Sequence, residues 1–278
     1  MSHFINRTNA KSVFNLFTVL LAVLGVSPII VNSAHAAEDD GGWEVVLTPY
    51  LWGVALDGET AVGPLPPVDV DASFGDILDA LNFAASLHTE FRKGKWNFVI
   101  DPTYLDLELD TPTQDVLLPP IPPGTPATVG GKIKVKQWLV EAWTSYLVAP
   151  GWEVLGGVRW QSQDIDVRLN NVSLSPSSNE DWADFFAGAR WSKALTEKWS
   201  MSLRGDYALA GDSESGSWNG VATFNRRFGK AMALNLGYRY FKNEYQTGSG
   251  QSNYLWDITM SGPYVGYTWQ FGNVSWPR

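Results

Sequence analysis

The sequence predicts an all-β fold: an antiparallel up-and-down transmembrane β-barrel of about ten strands, with one short helix in the first long loop. Three observations carry this. Strand-length segments alternate apolar and polar residues with a period of two. Their connections alternate between short and long. An export-type segment stands ahead of all of them. The last strand shows the pattern most plainly: Val265, Tyr267, Trp269 and Phe271 are apolar or aromatic, and Gly266, Thr268 and Gln270 between them are small or polar. A strand with this alternation has one apolar and one polar face, and aromatic residues gather where such a face leaves a bilayer.

Residues 1–36 read as a signal peptide: Arg7 and Lys11, an apolar run from Val13 to Val31, then Ala34-His35-Ala36 as a small-x-small cleavage site. Arg7 and Lys11 are the only Lys, Arg, Asp or Glu in this segment, so residues 37–278 hold 18 basic and 29 acidic side chains, a net −11. That balance argues against a nucleic-acid partner, which would need a basic stripe. Cysteine is absent, which excludes thiol and zinc–thiolate chemistry. The 14 Trp suit two interfacial girdles.

Ten strands are expected at Trp43–Leu56, Asn82–Arg92, Trp96–Leu109, Lys132–Val148, Trp152–Val167, Trp182–Ser192, Trp199–Leu209, Trp218–Phe228, Ala231–Tyr245 and Tyr254–Phe271. The links at 93–95, 149–151, 193–198 and 229–230 are short; those at 57–81, 110–131, 168–181, 210–217 and 246–253 are long. Outer-membrane barrels put short turns in the periplasm and long loops outside, and ten strands satisfy that sorting throughout. Eight or twelve are the alternatives, twelve arising if Thr60–Ala72 supplies an extra hairpin arm.

Parity places the apolar faces outward, because long aromatics on nearly every strand would overfill a narrow lumen. The inward set is then Glu44, Glu90, Arg92, Asp101, Glu141, Glu153, Arg159, Asp184, Arg190, Arg204, Asp206, Arg227 and Arg239. The signs nearly balance, so the interior is either a salt-bridged core or a narrow water-filled path with no selectivity for one sign. In the first long link, Ser73 with Asp76 is a capping-box relative, and Phe74, Ile77, Leu78 and Leu81 fall on one helical face. Too short to stand alone in water, this helix is expected to cap or plug the outer mouth. Pro64-Leu65-Pro66-Pro67 and Leu118 to Pro123 are proline-rich and read first as rigid spacers, second as recognition loops.

Little of the sequence points to catalysis. His88, the one histidine after residue 36, shares the inward face with Glu90, yet no nucleophile motif accompanies the pair. Asp69, Asp71, Asp76 and Asp79 do not follow a calcium-loop spacing and read as solvated carboxylates. No enzyme activity, metal or cofactor is expected. The expected partners are outer-membrane lipids, the barrel-assembly machinery and small polar solutes.

Thr48-Pro49-Tyr50-Leu51-Trp52, Leu56-Asp57-Gly58, Ser73 to Asp79, Lys93-Gly94-Lys95-Trp96 and Tyr104-Leu105-Asp106-Leu107, taken in order, resemble a group of uncharacterised proteobacterial porin-like outer-membrane proteins. The wider resemblance, to the outer-membrane β-barrel superfamily, covers essentially all of residues 37–278. It implies a fold and a place in the Gram-negative outer membrane, and no catalytic residues. Chains of this superfamily usually end on the terminal Phe; here Phe271 is followed by residues 272–278, expected as a short periplasmic tail.

Overall fold

The computed structural model describes residues 42–116, 127–170, 176–212 and 216–272. The signal segment, the tail after Gly272 and the stretch from Leu118 to Pro123 lie outside the described residues. In chain order the elements are β1 (Glu44–Trp52), β2 (Ala55–Val62), β3 (Val68–Ala72), α1 (Phe74–Ala80), β4 (Leu81–Lys93), β5 (Trp96–Val116), β6 (Ala127–Ala149), β7 (Trp152–Leu169), β8 (Ser177–Ala194), β9 (Trp199–Gly211), β10 (Trp218–Phe228), β11 (Met232–Thr247), a 3-10 turn (Gly250–Ser252) and β12 (Tyr254–Phe271).

All neighbours pair antiparallel, and β1 bonds to both β4 and β12, so β1 and β4–β12 close a ring of ten. Partners can be followed around it from Glu44 through Arg92, Asn97, Ser145, Leu155, Gly188, Asp206, Asn219, Phe241 and Met260. The circuit returns at Leu56, twelve residues further along the first strand. That stagger tilts the strands by about 40° to the axis.

The outward face carries an apolar belt. Phe83, Leu87, Ile100, Val154, Phe224 and Leu236 are all exposed. Ring pairs mark its two edges: Trp96 with Tyr146 and Trp152 with Trp191 at the short-turn end, Tyr104 with Trp138 and Trp218 with Tyr240 at the other. Trp96 and Tyr104 lie eight residues apart on one tilted strand, which makes the belt roughly 20–25 Å high.

The strands do not stop at the upper edge of the belt. β5 runs to Val116 and β6 begins at Ala127, both beyond the expected ends, and β8 starts at Ser177 rather than Trp182. Above the belt the polarity of the two faces inverts. On β6, Lys132, Lys134 and Lys136 follow the outward parity of Trp138 and Val140, while Leu139 and Val135 point in. Inside this upper storey Leu107, Leu139, Trp182, Phe241, Tyr254 and Ile258 pack into one buried cluster. Each such side chain contributes about 1.5–3 kcal/mol by leaving water.

The first long link is more ordered than a loop. β2 continues β1 along the edge of β12 after a break at Gly53-Val54, and β3 pairs back onto β2 from Leu56–Ala72 to Thr60–Val68. The extra hairpin arm therefore exists, but it stands above the belt and the ring stays at ten. Pro64 to Pro67 form its turn. Helix α1 has the expected capping box: Asp76 N–H donates to the Ser73 hydroxyl, and the Asp76 carboxylate accepts from Ser73. The Ser73 hydroxyl and N–H hold the Asp76 carboxyl below its usual range.

The placement of α1 corrects the expectation of a plug across the mouth. It packs against β2, β3 and β5, where β4 has ended at Leu81, and so fills a seam in the wall. Ile77 is buried in the upper core and Leu81 packs against it, Leu78 is half-buried, and Phe74 is exposed, its ring lying over Gly53. A four-residue apolar face cannot all point inward from a wall position. Side chains of the strands themselves fill the mouth.

Candidate functional site

Inside the belt most inward side chains are polar or charged, beside a small apolar cluster of Val99, Trp143, Leu155 and Phe186, and the charged ones form two ion networks, one above the other. The lower one centres on Glu90. Its Oε2 accepts from Arg92 at 2.8 Å and its Oε1 from Arg190 at 2.6 Å; Arg190 also reaches Glu153 at 2.8 Å. Arg92 lies 3.7 Å from Glu44. Asn97 and Ser145 both donate to Glu153.

The upper network centres on Arg159, which is fully buried. It donates from Nε to Glu141 at 2.7 Å, from Nη2 to Asp206 at 2.5 Å and from Nη1 to Ser217 at 2.8 Å. The Phe186 and Phe241 rings flank its guanidinium at 4.7 and 4.8 Å. Arg204 bonds the same two carboxylates, at 3.0 and 2.8 Å, and Arg239 approaches Glu141 at 3.3 Å. A buried ion is costly unless its hydrogen bonds are met; all three Arg159 nitrogens are bonded, while Arg204 Nε and Arg239 Nη2 have ion-pair neighbours around them but no hydrogen-bond partner of their own.

Between the networks sits His88. Its Nδ1 lies 2.9 Å from Asp101 and its Nε2 3.7 Å from Glu90; Tyr50 donates its hydroxyl to the other Asp101 oxygen at 2.8 Å. Both ring nitrogens thus face carboxylates, Nδ1 at hydrogen-bond distance and Nε2 somewhat beyond it. Close packing holds the layer in place. A Cβ on Gly157 would meet the backbone of Trp143 at 2.6 Å, and one on Gly237 would meet the Tyr264 ring at 2.4 Å, so both aromatics occupy space that glycine leaves open.

A cavity of about 210 Å³ occupies the lower half of the belt interior. One wall is charged, with Glu90, Arg92, Glu153 and Arg190; the other is hydroxyl and amide, with Ser200, Ser202, Thr223 and Asn225. Toward the short-turn end its residues are half-buried, Ser192, Ser202 and Asn225 among them. Toward the other end stand Tyr50, Arg204, Arg239 and Tyr264, then the buried Arg159 network, then the apolar cluster. The cavity is a blind well, open below and sealed above.

Of the thirteen inward residues named from parity, eleven stand in these two networks or beside His88. Asp184 is buried one step away and accepts from Ser217 at 3.3 Å. Arg227 is not among them. As the last inward position of β10 it lies at the rim, and its guanidinium donates to the carbonyl of Glu197 in the β8–β9 turn. The four carboxylates of the first link do not converge: Asp69 and Asp71 face Glu59 and Asp57 across the β2–β3 hairpin, Asp76 caps α1 and Asp79 is exposed. Parity puts Tyr50 on the inward face but does not give its bond to Asp101, nor the roles of Ser145, Ser217 and Asn219, because these depend on the stagger between strands.

A closed antiparallel ring whose exposed surface is a girdled apolar belt, and whose belt interior is charged, defines a transmembrane β-barrel. No family model and no curated protein matches the sequence. Among solved structures the chain is similar to the translocator domain of the autotransporter NalP from Neisseria meningitidis, at 14% identity and a TM-score of 0.39, covering 94% of this chain and 96% of that one. It is similar to Neisserial surface protein A at 11% and 0.32, covering 83% and 99%, and to the Ralstonia pickettii toluene transporter TbuX at 8% and 0.32, covering 83% and 89%. At these scores the likeness carries no argument about activity.

Proposed function

We propose that the protein is an outer-membrane β-barrel of a Gram-negative bacterium, exported with a cleaved signal peptide, that is closed to ions at rest and serves the envelope structurally. The observation that carries this is the double seal above the well. Arg159 and its carboxylates fill the section at the top of the belt, and Trp182, Phe241, Tyr254 and Ile258 fill the section above, all essentially without exposure. A passive path for small polar solutes would have to move both layers. Purified protein in planar bilayers is expected to be silent at high load; reproducible discrete conductance steps would establish a pore instead. The two carboxylates facing His88 are the reason for reading the barrel as having no enzymatic role.

A second reading, a surface binding module, is favoured by one observation. The strands carry a packed storey beyond the belt, which a purely membrane-anchoring barrel does not need. Deleting 111–130 should then leave a heat-resistant barrel that no longer binds cells or matrix. Unchanged adhesion would remove this reading.

A further inference from the structure

The two ends of the barrel differ in charge and in how the charges are held. At the upper end Lys132, Lys134 and Lys242 are tied to the protein's own carboxylates, at 2.7, 2.8 and 3.3 Å from Glu108, Glu108 and Asp257, while the exposed Lys136 and Arg168 make no such pair among the described residues. The lower rim is different. Lys93 and Lys95 flank the β4–β5 turn, Lys193 and Lys198 bound the β8–β9 turn, and Arg226 stands at the foot of β10; all five are exposed. Among the described residues none of the five has a carboxylate within ion-pair reach. Among the described residues, the exposed acidic side chain at this end is Glu197, since Glu44 and Glu153 are buried inward.

Three of these cations lie over rings of the lower girdle. Lys93 Nζ lies 5.5 Å from the centre of the Trp43 ring and Lys95 Nζ 5.9 Å from that of Tyr146. The Arg226 guanidinium sits 5.6 Å from Trp199 and 5.4 Å from Phe228. Those rings form the lower girdle, half-exposed on the outward face. A long basic side chain laid along a girdle ring buries its stem at the belt edge and holds its charge at headgroup depth. There the ring attracts the cation without neutralising it, which leaves the N–H donors for an external anion.

We infer that the lower rim is a binding surface for the phosphate of anionic glycerophospholipid headgroups. A phosphodiester at headgroup depth supplies the missing counter-charge and accepts from both ammonium and guanidinium donors. The leaflet next to the short turns is the one that would supply it. The upper end pairs Lys132, Lys134 and Lys242 internally. This inference rests on the membrane-spanning reading above.

The test uses the whole protein reconstituted in phosphatidylcholine vesicles containing a minor fraction of brominated lipid, with tryptophan quenching as the readout. Quenching by brominated phosphatidylcholine reports insertion alone. Brominated phosphatidylglycerol at the same mole fraction should quench as if enriched around the protein by about fivefold at low salt, falling toward unity in 0.5 M salt. The variant K93Q/K95Q/K193Q/K198Q/R226Q should insert normally and lose the enrichment. Equal quenching by the two lipids in the wild type, or enrichment that survives in the variant, overturns the inference. Absence of quenching by brominated phosphatidylcholine would overturn the membrane-spanning reading itself, and the inference with it.

Discussion

Along β6, Trp143 and Glu141 face a charged and partly open interior, whereas Leu139 and Val135, the next inward positions but for Gln137, face a dry one. The outward residues change in the opposite sense, from Tyr146, Ala142 and Trp138 below to Lys136, Lys134 and Lys132 above. β12 repeats this: Gln270 and Thr268 point in below and Ile258 and Tyr254 above, while Trp269 and Asp257 face out. One set of strands therefore builds two storeys with inverted fillings. The cause is the outside medium. Where lipid surrounds the wall the apolar face turns out and the charges pair inside. Where water surrounds it the same alternation makes an ordinary dry core. The difference teaches that period two fixes two faces but not which one is inside; the solvent at each height decides that.

The comparison can be broken at the lower storey first. Arg159→Ala leaves Glu141 and Asp206 short of a buried partner and should cost about 3–5 kcal/mol. Equilibrium unfolding in detergent or lipid would show it as a lowered denaturant midpoint. In the upper storey, Trp182→Ala removes a fully buried ring that stacks on Tyr245 at 4.6 Å and donates to Asn243, and about 3 kcal/mol should be lost. Hydrogen exchange should place that loss above the belt: faster exchange in the upper halves of β8, β11 and β12, with the belt halves unchanged. Global acceleration would show that the storeys are one cooperative unit.

The outer surface sharpens the contrast. Leu236→Arg puts a charge on the belt face near mid-height and should cost about 2–3 kcal/mol, whereas Thr259→Arg, outward on β12 above the belt, should cost less than about 0.5. Equal penalties in refolding titrations would mean that the belt has been drawn at the wrong height.

The smallest effect is a titration. Hydrogen bonds from Lys132 and then Lys134 hold the exposed Glu108 carboxyl down, to about 2. Its folded value lies below its unfolded one. Any stabilisation from the pair is therefore present above an ordinary glutamate range and lost as pH falls toward 2. With both partners in water, that stabilisation should be hard to detect at pH 7. A K132A/K134A variant should move the Glu108 carbonyl-carbon midpoint up toward 4.5 in NMR titration; an unmoved midpoint would show that the pairs are not formed in solution.

Much of the belt was legible in the sequence. Trp at strand ends and apolar residues at alternate positions marked eight of the ten ring strands near their true starts, all but β6 and β8, and parity sent Glu90, Arg92 and Glu141 inward. The upper storey was not read, though a trace was present. Lys132, Lys134 and Lys136 share parity with Trp138 and Val140, and that reversal along one strand is the signature of a surface leaving lipid. The β2–β3 hairpin was obscured for the same reason, since Asp57, Glu59, Asp69 and Asp71 face water and read as loop residues. Which charges meet, Arg159 with Asp206 or His88 with Asp101, follows from the stagger around the ring, and no local pattern encodes that.

The central claim is that the barrel interior is a blind well, wet below and sealed above. The chain contains no cysteine, so single thiols can be placed at will. Ser202→Cys lies in the well wall and Ile258→Cys in the upper core. In oriented proteoliposomes, a membrane-impermeant maleimide should modify the first from the short-turn side alone and the second from neither side. Labelling of Ser202→Cys from the long-loop side, or of Ile258→Cys from either side, would contradict the seal and with it the reading of a closed barrel.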